Sequence, residues 1–82
     1  MRYTVTCPQG VQDRLALIWI QATDKSAISR ASNRIDVLLR QSPDRGVDLG
    51  SHWAMVVDPL TVLYTISPND CQVAILDFIY SG

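Results

Sequence analysis

Residues 60–67, Leu60-Thr61-Val62-Leu63-Tyr64-Thr65-Ile66-Ser67, form a run rich in β-branched and aromatic residues, and residues 71–80, Cys71-Gln72-Val73-Ala74-Ile75-Leu76-Asp77-Phe78-Ile79-Tyr80, form a second. Between them stands Pro68-Asn69-Asp70, a cluster of turn-forming residues. Two β-rich runs joined by so short a turn predict neighbouring antiparallel strands. A third such run, residues 52–57, precedes them across Asp58-Pro59, so this half of the chain predicts a three-stranded meander.

The preceding half predicts one strand, two helices and a loop. Residues 2–7 alternate polar and apolar side chains at the period of a strand. Residues 8–21 and 24–41 carry apolar side chains at helical spacing, which predicts two helices. The first range begins with Pro8 and the second with Asp24, and both residue types suit a helix start. The second helix must end near Ser42, because the residue before Pro43 is pushed out of the helical region. Residues 42–51 are expected to form a long loop.

The order of these elements predicts an α+β fold, β-α-α-β-β-β, with an antiparallel sheet of about four strands covered on one face by a helical hairpin. A chain of 82 residues lies within the size of one domain, so we expect residues 1–82 to form a single one. Regular alternation makes both sides of the last strand apolar: Cys71, Val73, Ile75 and Ile79 face one way, and Ala74, Leu76, Phe78 and Tyr80 face the other. Either that strand is packed on both faces or one face awaits a partner.

Composition excludes several classes of protein. No apolar run approaches the roughly 18 residues that span a bilayer, and residues 1–6 lack the pattern of a signal peptide, so we expect a cytoplasmic protein with no membrane contact. Cys7 and Cys71 lack the spacing of a zinc or redox motif and are expected to be reduced, mostly buried thiols. A net charge of −1 gives no long-range attraction to nucleic acid. Without a glycine-rich phosphate loop, a metal-ligand cluster or a nucleophile elbow, the sequence predicts no cofactor and no metal.

The strand motif of residues 59–66, followed after a turn by Val73-Ala74-Ile75-Leu76, is similar to motifs of the RelE/ParE family of bacterial toxins, especially members called plasmid-stabilisation proteins. Asn33-Arg34-Ile35-Asp36 resembles their second helix, and Arg2-Tyr3-Thr4-Val5 resembles their opening strand. The resemblance implies the toxin of a type II toxin–antitoxin system, neutralised by a short cognate antitoxin that covers apolar surface. RelE-like members cut messenger RNA on the ribosome, whereas ParE-like members poison DNA gyrase.

Arginines are central to RNA cleavage by this family, because they hold the scissile phosphate. The resemblance places one arginine just before the Val-Leu-Tyr of the middle strand, where this chain has Thr61, and another after the last strand, where it has Ser81 and Gly82. Loss of one preorganised donor costs on the order of 10²–10³ in rate, so loss of two argues against efficient cleavage. The sequence leaves open whether the chain is an enzyme, and the two missing arginines favour a protein without catalytic activity.

His52 and Tyr80 are weak catalytic candidates. His52 stands at the start of a predicted strand, and histidine is the residue type best suited to carry a proton at physiological pH, but a lone histidine there is more often exposed or structural. Tyr80 lies close to where the family keeps a C-terminal phenol or imidazole, although sealing the sheet edge is its more usual role. A nuclease would further need a relocated cation such as Arg45.

Partner-binding candidates come from the last strand and from the basic side of the second helix, namely Leu76, Phe78, Tyr80, Arg30 and Arg34. A solvated helix face and core packing are the alternatives for these side chains. Trp19 and Trp53 are expected in the core, unless one of them anchors an interface.

Three functions therefore remain in view. The first is a toxin that binds a protein target such as DNA gyrase, or a degenerate relative, masked by an antitoxin. The second is a ribosome-dependent endoribonuclease. The third is a homodimeric α+β module without toxicity, whose apolar sheet face is covered by its own copy.

Overall fold

In the computed structural model, which describes residues 2–81, two helices pack against one face of a five-stranded sheet. The elements are β1 (Thr4–Thr6), α1 (Gln9–Gln21), α2 (Lys25–Gln41), β2 (Val47–Asp48), β3 (Trp53–Val57), β4 (Leu60–Ser67) and β5 (Gln72–Tyr80). Short 3-10 turns at Pro43–Arg45 and Pro68–Asp70 precede β2 and β5. This arrangement confirms the predicted α+β fold.

The strand order in the sheet is β1-β5-β4-β3-β2. The β3–β4 and β4–β5 pairs are antiparallel, as the short turns predict. Two details differ from the prediction. β1 pairs with β5 in parallel, with Val5 opposite Val73, so the sheet is mixed. The predicted loop also contains β2, two residues that pair with the start of β3.

The core lies between the helical hairpin and the sheet. Asp24 caps α2 by accepting a hydrogen bond from the Ala27 N–H at 3.1 Å, which starts the helix at the predicted place. The helix then buries one stripe against β3, β4 and β5. The fully buried members of this core, by size, include Tyr64, Ile28, Ile35, Leu39, Leu60, Val62 and Val73.

A β-bulge interrupts the β4–β5 pair. Leu63 stands opposite Asp77 and Tyr64 stands opposite Ile75, so Leu76 is an extra residue without a partner in the register. Because of this extra residue, the alternation of side chains between the two sheet faces shifts by one residue after the bulge. Phe78 therefore lies on the same face of the sheet as Ile75. Leu76 is 48% exposed and Phe78 only 3% exposed. The predicted grouping of Phe78 with Leu76, and of Ile79 with Ile75, is therefore wrong, because alternation cannot continue through a bulge.

Tyr64 ties the segment after α2 to the middle of the sheet. Its side chain is fully buried, and its hydroxyl donates a hydrogen bond to the carbonyl oxygen of Pro43. Gly46 passes so close that a Cβ atom there would collide with the Tyr64 hydroxyl and lie 2.7 Å from the carbonyl oxygen of Ala54. Burial raises the pKa of the Tyr64 phenol. Tyr64 therefore lies in the core.

The two cysteines are half-buried rather than mostly buried. Burial nevertheless raises the pKa of the Cys7 thiol, so that thiol is less reactive than an exposed one. Over residues 2–81, neither helix combines the length and the apolar character that a membrane crossing requires.

Candidate functional site

The outer sheet face, opposite the helices, is open and largely apolar. We define it by the residues that alternate with the buried core positions of β3, β4 and β5. One row across it pairs Val56 with Thr61 and Thr61 with Ile79. Val56 is 73% exposed and Ile79 is 43% exposed. Thr61, where the family resemblance would predict an arginine, thus lies between two exposed aliphatic side chains.

This face offers a phosphate no cation from its own strands. No lysine or arginine follows Arg45 in the sequence, so β3, β4 and β5 contain none. Asp77 is the charged residue of β5, and its carboxylate lies 3.4 Å from the Arg14 Nε. These strands would offer an anion hydroxyl groups, aliphatic side chains and the Asp77 carboxylate, which is already paired with Arg14 of α1. Gly82, the second position at which the family resemblance expects an arginine, lies outside the described residues.

The two weak catalytic candidates lie far apart. His52 immediately precedes β3, and its Nδ1 lies 2.9 Å from the Ser51 Oγ. Tyr80 pairs with Leu60 at the opposite end of the strands. Along the strand direction alone, His52 and Tyr80 are separated by five residues, which corresponds to roughly 16 Å. A proton could not pass directly between them. Arg45, in the turn after α2, is exposed.

The partner-binding candidates differ in exposure. Leu76 projects from the bulge and is available, whereas Phe78 is buried and offers a partner no surface in this conformation. Tyr80 is half-buried and packs against the core. Arg30 and Arg34 are exposed on α2, and neither forms an ion pair within residues 2–81. Among the five candidates, Leu76 and the two arginines are thus the most accessible.

A groove between the two helices was not predicted from the sequence. This hairpin groove is an open depression of about 520 Å³. Its walls include Trp19 and Ile20, which are 43% and 62% exposed, and its floor includes Ile28, which is buried. The remaining lining residues are Gln12, Leu15, Ala16, Ser29 and Ser32. The sequence of α1 did contain a signal for this groove. Residues 15–20 are all apolar, which is more than a helix needs in order to bury one face.

The rim of the hairpin groove is positively charged at one end. The Lys25 Nζ lies 5.3 Å from the centroid of the Trp19 ring, a cation–π distance. It also donates hydrogen bonds to the carbonyl oxygens of Ile20 at 3.1 Å and Ala22 at 3.3 Å. Lys25 and Arg30 line a smaller depression that shares Trp19 and Ser29 with the groove, and no carboxylate lines either depression.

Comparison with known proteins identifies the fold. No protein-family model and no curated protein matches the sequence. Solved structures do match. A chain of the toxin–antitoxin complex RelBE2 from Mycobacterium tuberculosis matches with a TM-score of 0.81 over 98% of this chain and 99% of that chain, at 18% identity. A chain of the archaeal RelE–RelB complex from Pyrococcus horikoshii matches with a TM-score of 0.70 over 100% of this chain and 98% of that chain, at 17% identity.

The chain has the RelE fold. This finding confirms, at the level of the fold, the resemblance predicted from the strand motif. In this structure Thr61, the residue before Val62-Leu63-Tyr64, lies on the outer sheet face. The position at which the sequence differs from the motif that the resemblance predicts is therefore on the surface and not in the core. Within the described residues, the RelE fold here thus presents two apolar surfaces, the outer sheet face and the hairpin groove.

Proposed function

We propose that this chain is the toxin of a type II toxin–antitoxin system, that it acts by binding a protein target, and that a cognate antitoxin neutralises it. The observation that carries the proposal is the match to chains of two RelE–RelB-type complexes over at least 98% of both partners in each comparison. Because nearly the whole of each chain is matched, the likeness extends well beyond a shared supersecondary motif. Both matched chains come from structures of complexes, a toxin–antitoxin complex in one case and a RelE–RelB complex in the other.

Exposed apolar side chains support a protein-binding role. Five large ones, namely Trp19, Ile20, Val56, Leu76 and Ile79, are 43% exposed or more and lie in the hairpin groove or on strands β3 and β5. Apolar surface gathered in this way on a small protein is characteristic of interaction sites. A partner would also increase the buried fraction of a chain whose size limits its own core.

The charge distribution favours a protein target over RNA cleavage. Catalysis at a phosphodiester needs preorganised positive charge at the phosphate, and the strands of the outer sheet face supply none. The proton-transfer candidates His52 and Tyr80 stand at opposite ends of those strands. DNA gyrase, the target implied by the ParE resemblance, is accordingly the first candidate target, ahead of the ribosome.

The proposal is tested by inducing the chain in a bacterial host and following growth. We expect growth arrest, and we expect co-expression of the small reading frame beside its gene to relieve it. A variant with Val62→Asp, which puts a charge at a fully buried position, controls for the burden of expression alone.

The mode of action is separated by two further assays. Purified chain is added to a gyrase supercoiling reaction and to a translating extract in which messenger integrity is followed. We expect gyrase inhibition with intact messenger, unchanged by His52→Ala or Tyr80→Phe. Messenger cleavage that either substitution abolishes would establish the endoribonuclease instead. A chain that leaves growth unaffected and is a stable dimer would support the third function, the homodimeric module.

A further inference from the structure

A second depression lies at the C-terminal end of α2, on the side of the sheet that faces the helices. It has a volume of about 410 Å³ and shares no lining residue with the hairpin groove. We call it the Trp53 pocket, and the residues that line it are Tyr3, Gln41, Asp44, Trp53, Ile66 and Pro68. Because these residues come from segments far apart in the sequence, the pocket forms only in the folded chain.

Contacts within the fold hold the walls of the Trp53 pocket in place. The Tyr3 N–H donates a hydrogen bond to the carbonyl oxygen of Arg40 at 2.7 Å, which joins the start of β1 to the last turn of α2. Trp53 pairs with Tyr64, whose hydroxyl donates to the carbonyl oxygen of Pro43 and so fixes the turn after α2. The side chains of Tyr3 and Trp53 also pack against the core. A ligand would therefore meet a preformed surface, which lowers the entropic cost of binding.

The chemistry of this lining favours a cation. Asp44 is exposed, and its carboxylate forms no ion pair within residues 2–81. No lysine or arginine lines the pocket: Arg45 follows Asp44 without contributing to the lining, and Arg40 is paired with Asp36 at 3.0 Å. The carbonyl groups at the end of α2 add partial negative charge. The two aromatic rings of the lining attract cations as well.

An arginine side chain suits this combination better than other cations. The guanidinium group is planar, so it stacks on an aromatic ring and donates hydrogen bonds to a carboxylate at the same time, whereas the ammonium of lysine is a compact and more strongly hydrated charge. Sites for free small molecules usually enclose most of the ligand. The Trp53 pocket is open, which suits a side chain that its own polypeptide holds in position.

We propose that the Trp53 pocket binds the guanidinium group of an arginine side chain from another protein. The guanidinium pairs with the Asp44 carboxylate and stacks against the ring of Trp53. This inference does not rest on the proposed function, because it specifies the group that is bound and is tested on the purified chain.

The binding step is tested with three capped peptides, Gly-Ser-X-Ser-Gly, in which X is arginine, lysine or citrulline. Citrulline has nearly the shape of arginine but no charge. Binding is followed through the Trp53 indole N–H signal in ¹H–¹⁵N spectra of the whole chain, and a Trp19→Phe variant, which leaves the pocket intact, assigns the two tryptophan signals. We expect the arginine peptide to shift the Trp53 signal and to bind at least about fivefold more tightly than the citrulline peptide, with the lysine peptide between them.

A pair of charge-removing substitutions locates the site. Asp44→Asn keeps the size of an exposed side chain, so the chain should still fold, and it should weaken the arginine peptide by about fivefold while leaving the citrulline peptide unchanged. Asp58→Asn makes the same charge change in the turn after β3, roughly 16 Å from Trp53 along the strand. That separation exceeds the Debye length of about 8 Å at physiological salt, so Asp58→Asn should leave binding unchanged.

Equal binding of the arginine and citrulline peptides, a Trp53 signal that no peptide moves, or binding that survives Asp44→Asn would overturn the proposal. Tighter binding of putrescine, a small diamine, than of the arginine peptide would make the pocket a site for a free amine. A Trp53 signal that moves on dilution of the chain alone, and no longer does so in Asp44→Asn, would show that a second copy supplies the arginine. Either result would refute an arginine from another protein. Growth arrest enters none of these measurements, so the proposed function is tested separately.

Discussion

Replacing Tyr64 with phenylalanine removes one hydroxyl group from the centre of the molecule. The ring is fully buried, so phenylalanine keeps its packing, and what is lost is the hydrogen bond to the carbonyl oxygen of Pro43. That acceptor would remain buried without its donor, which typically costs about 1–3 kcal/mol. With a urea m-value of about 1 kcal/mol/M for a chain of this size, we expect the unfolding midpoint to fall by roughly 1–3 M.

The matched control is Tyr80→Phe. Tyr80 is half-buried, and its hydroxyl makes no hydrogen bond within residues 2–81, so its removal should change the free energy of unfolding by no more than about 0.5 kcal/mol. Equal losses for the two variants in urea titrations followed by circular dichroism would refute the role assigned to the Tyr64 hydroxyl.

The pH dependence gives an independent check. Burial raises the pKa of Tyr64 above its ordinary value of 10.0, so the unfolded chain releases this proton at a lower pH than the folded chain. The free energy of unfolding of the wild type should therefore be constant with respect to this group below pH 10 and should fall as pH rises toward the folded pKa. Tyr64→Phe lacks this component, so the stability gap between the two proteins should narrow above about pH 10. A gap that widens there would contradict the assignment.

Two pairs of variants test the packing of the core in the same urea titrations. Gly46→Ala should destabilise the chain by about 2 kcal/mol or more, because its Cβ would collide with the Tyr64 hydroxyl, whereas Gly10→Ala has open space on α1 and should stabilise it by about 0.5–1 kcal/mol. Phe78→Ala should cost about 3–5 kcal/mol and Leu76→Ala much less, because the bulge buries the first and exposes the second. Similar losses for Phe78→Ala and Leu76→Ala would show that the bulge is misplaced.

Local patterns sufficed for the elements that local residues determine. The predicted strand over residues 60–67 agrees with β4, and Pro43 and Asp24 set the ends of α2 where expected. Features that depend on distant partners were missed. β2 is only two residues long and exists by pairing with β3, and the parallel pairing of β1 joins residues 68 positions apart, as between Val5 and Val73.

The candidate site shows the same division. The absence of lysine and arginine after Arg45 is visible in the sequence, and it is also the main feature of the strands that form the outer sheet face. The exposure of Leu76 and the burial of Phe78 depend on a bulge that no alternation rule reveals. The hairpin groove forms only where the two helices lie side by side. The apolar run in α1 indicated excess apolar surface, but it did not show that residues of α2 form the other side of a groove.

The position of β5 has a consequence for how the chain is made. This strand lies between β1 and β4, yet it is the last element to leave the ribosome. Until it arrives β1 has no neighbour in the sheet, and the apolar stripe of α2 lacks Val73, Ile75 and Phe78 as packing partners. Nascent chains should therefore expose that stripe until β5 has been made, so any protein that protects this chain during synthesis must bind before residues 72–80 emerge.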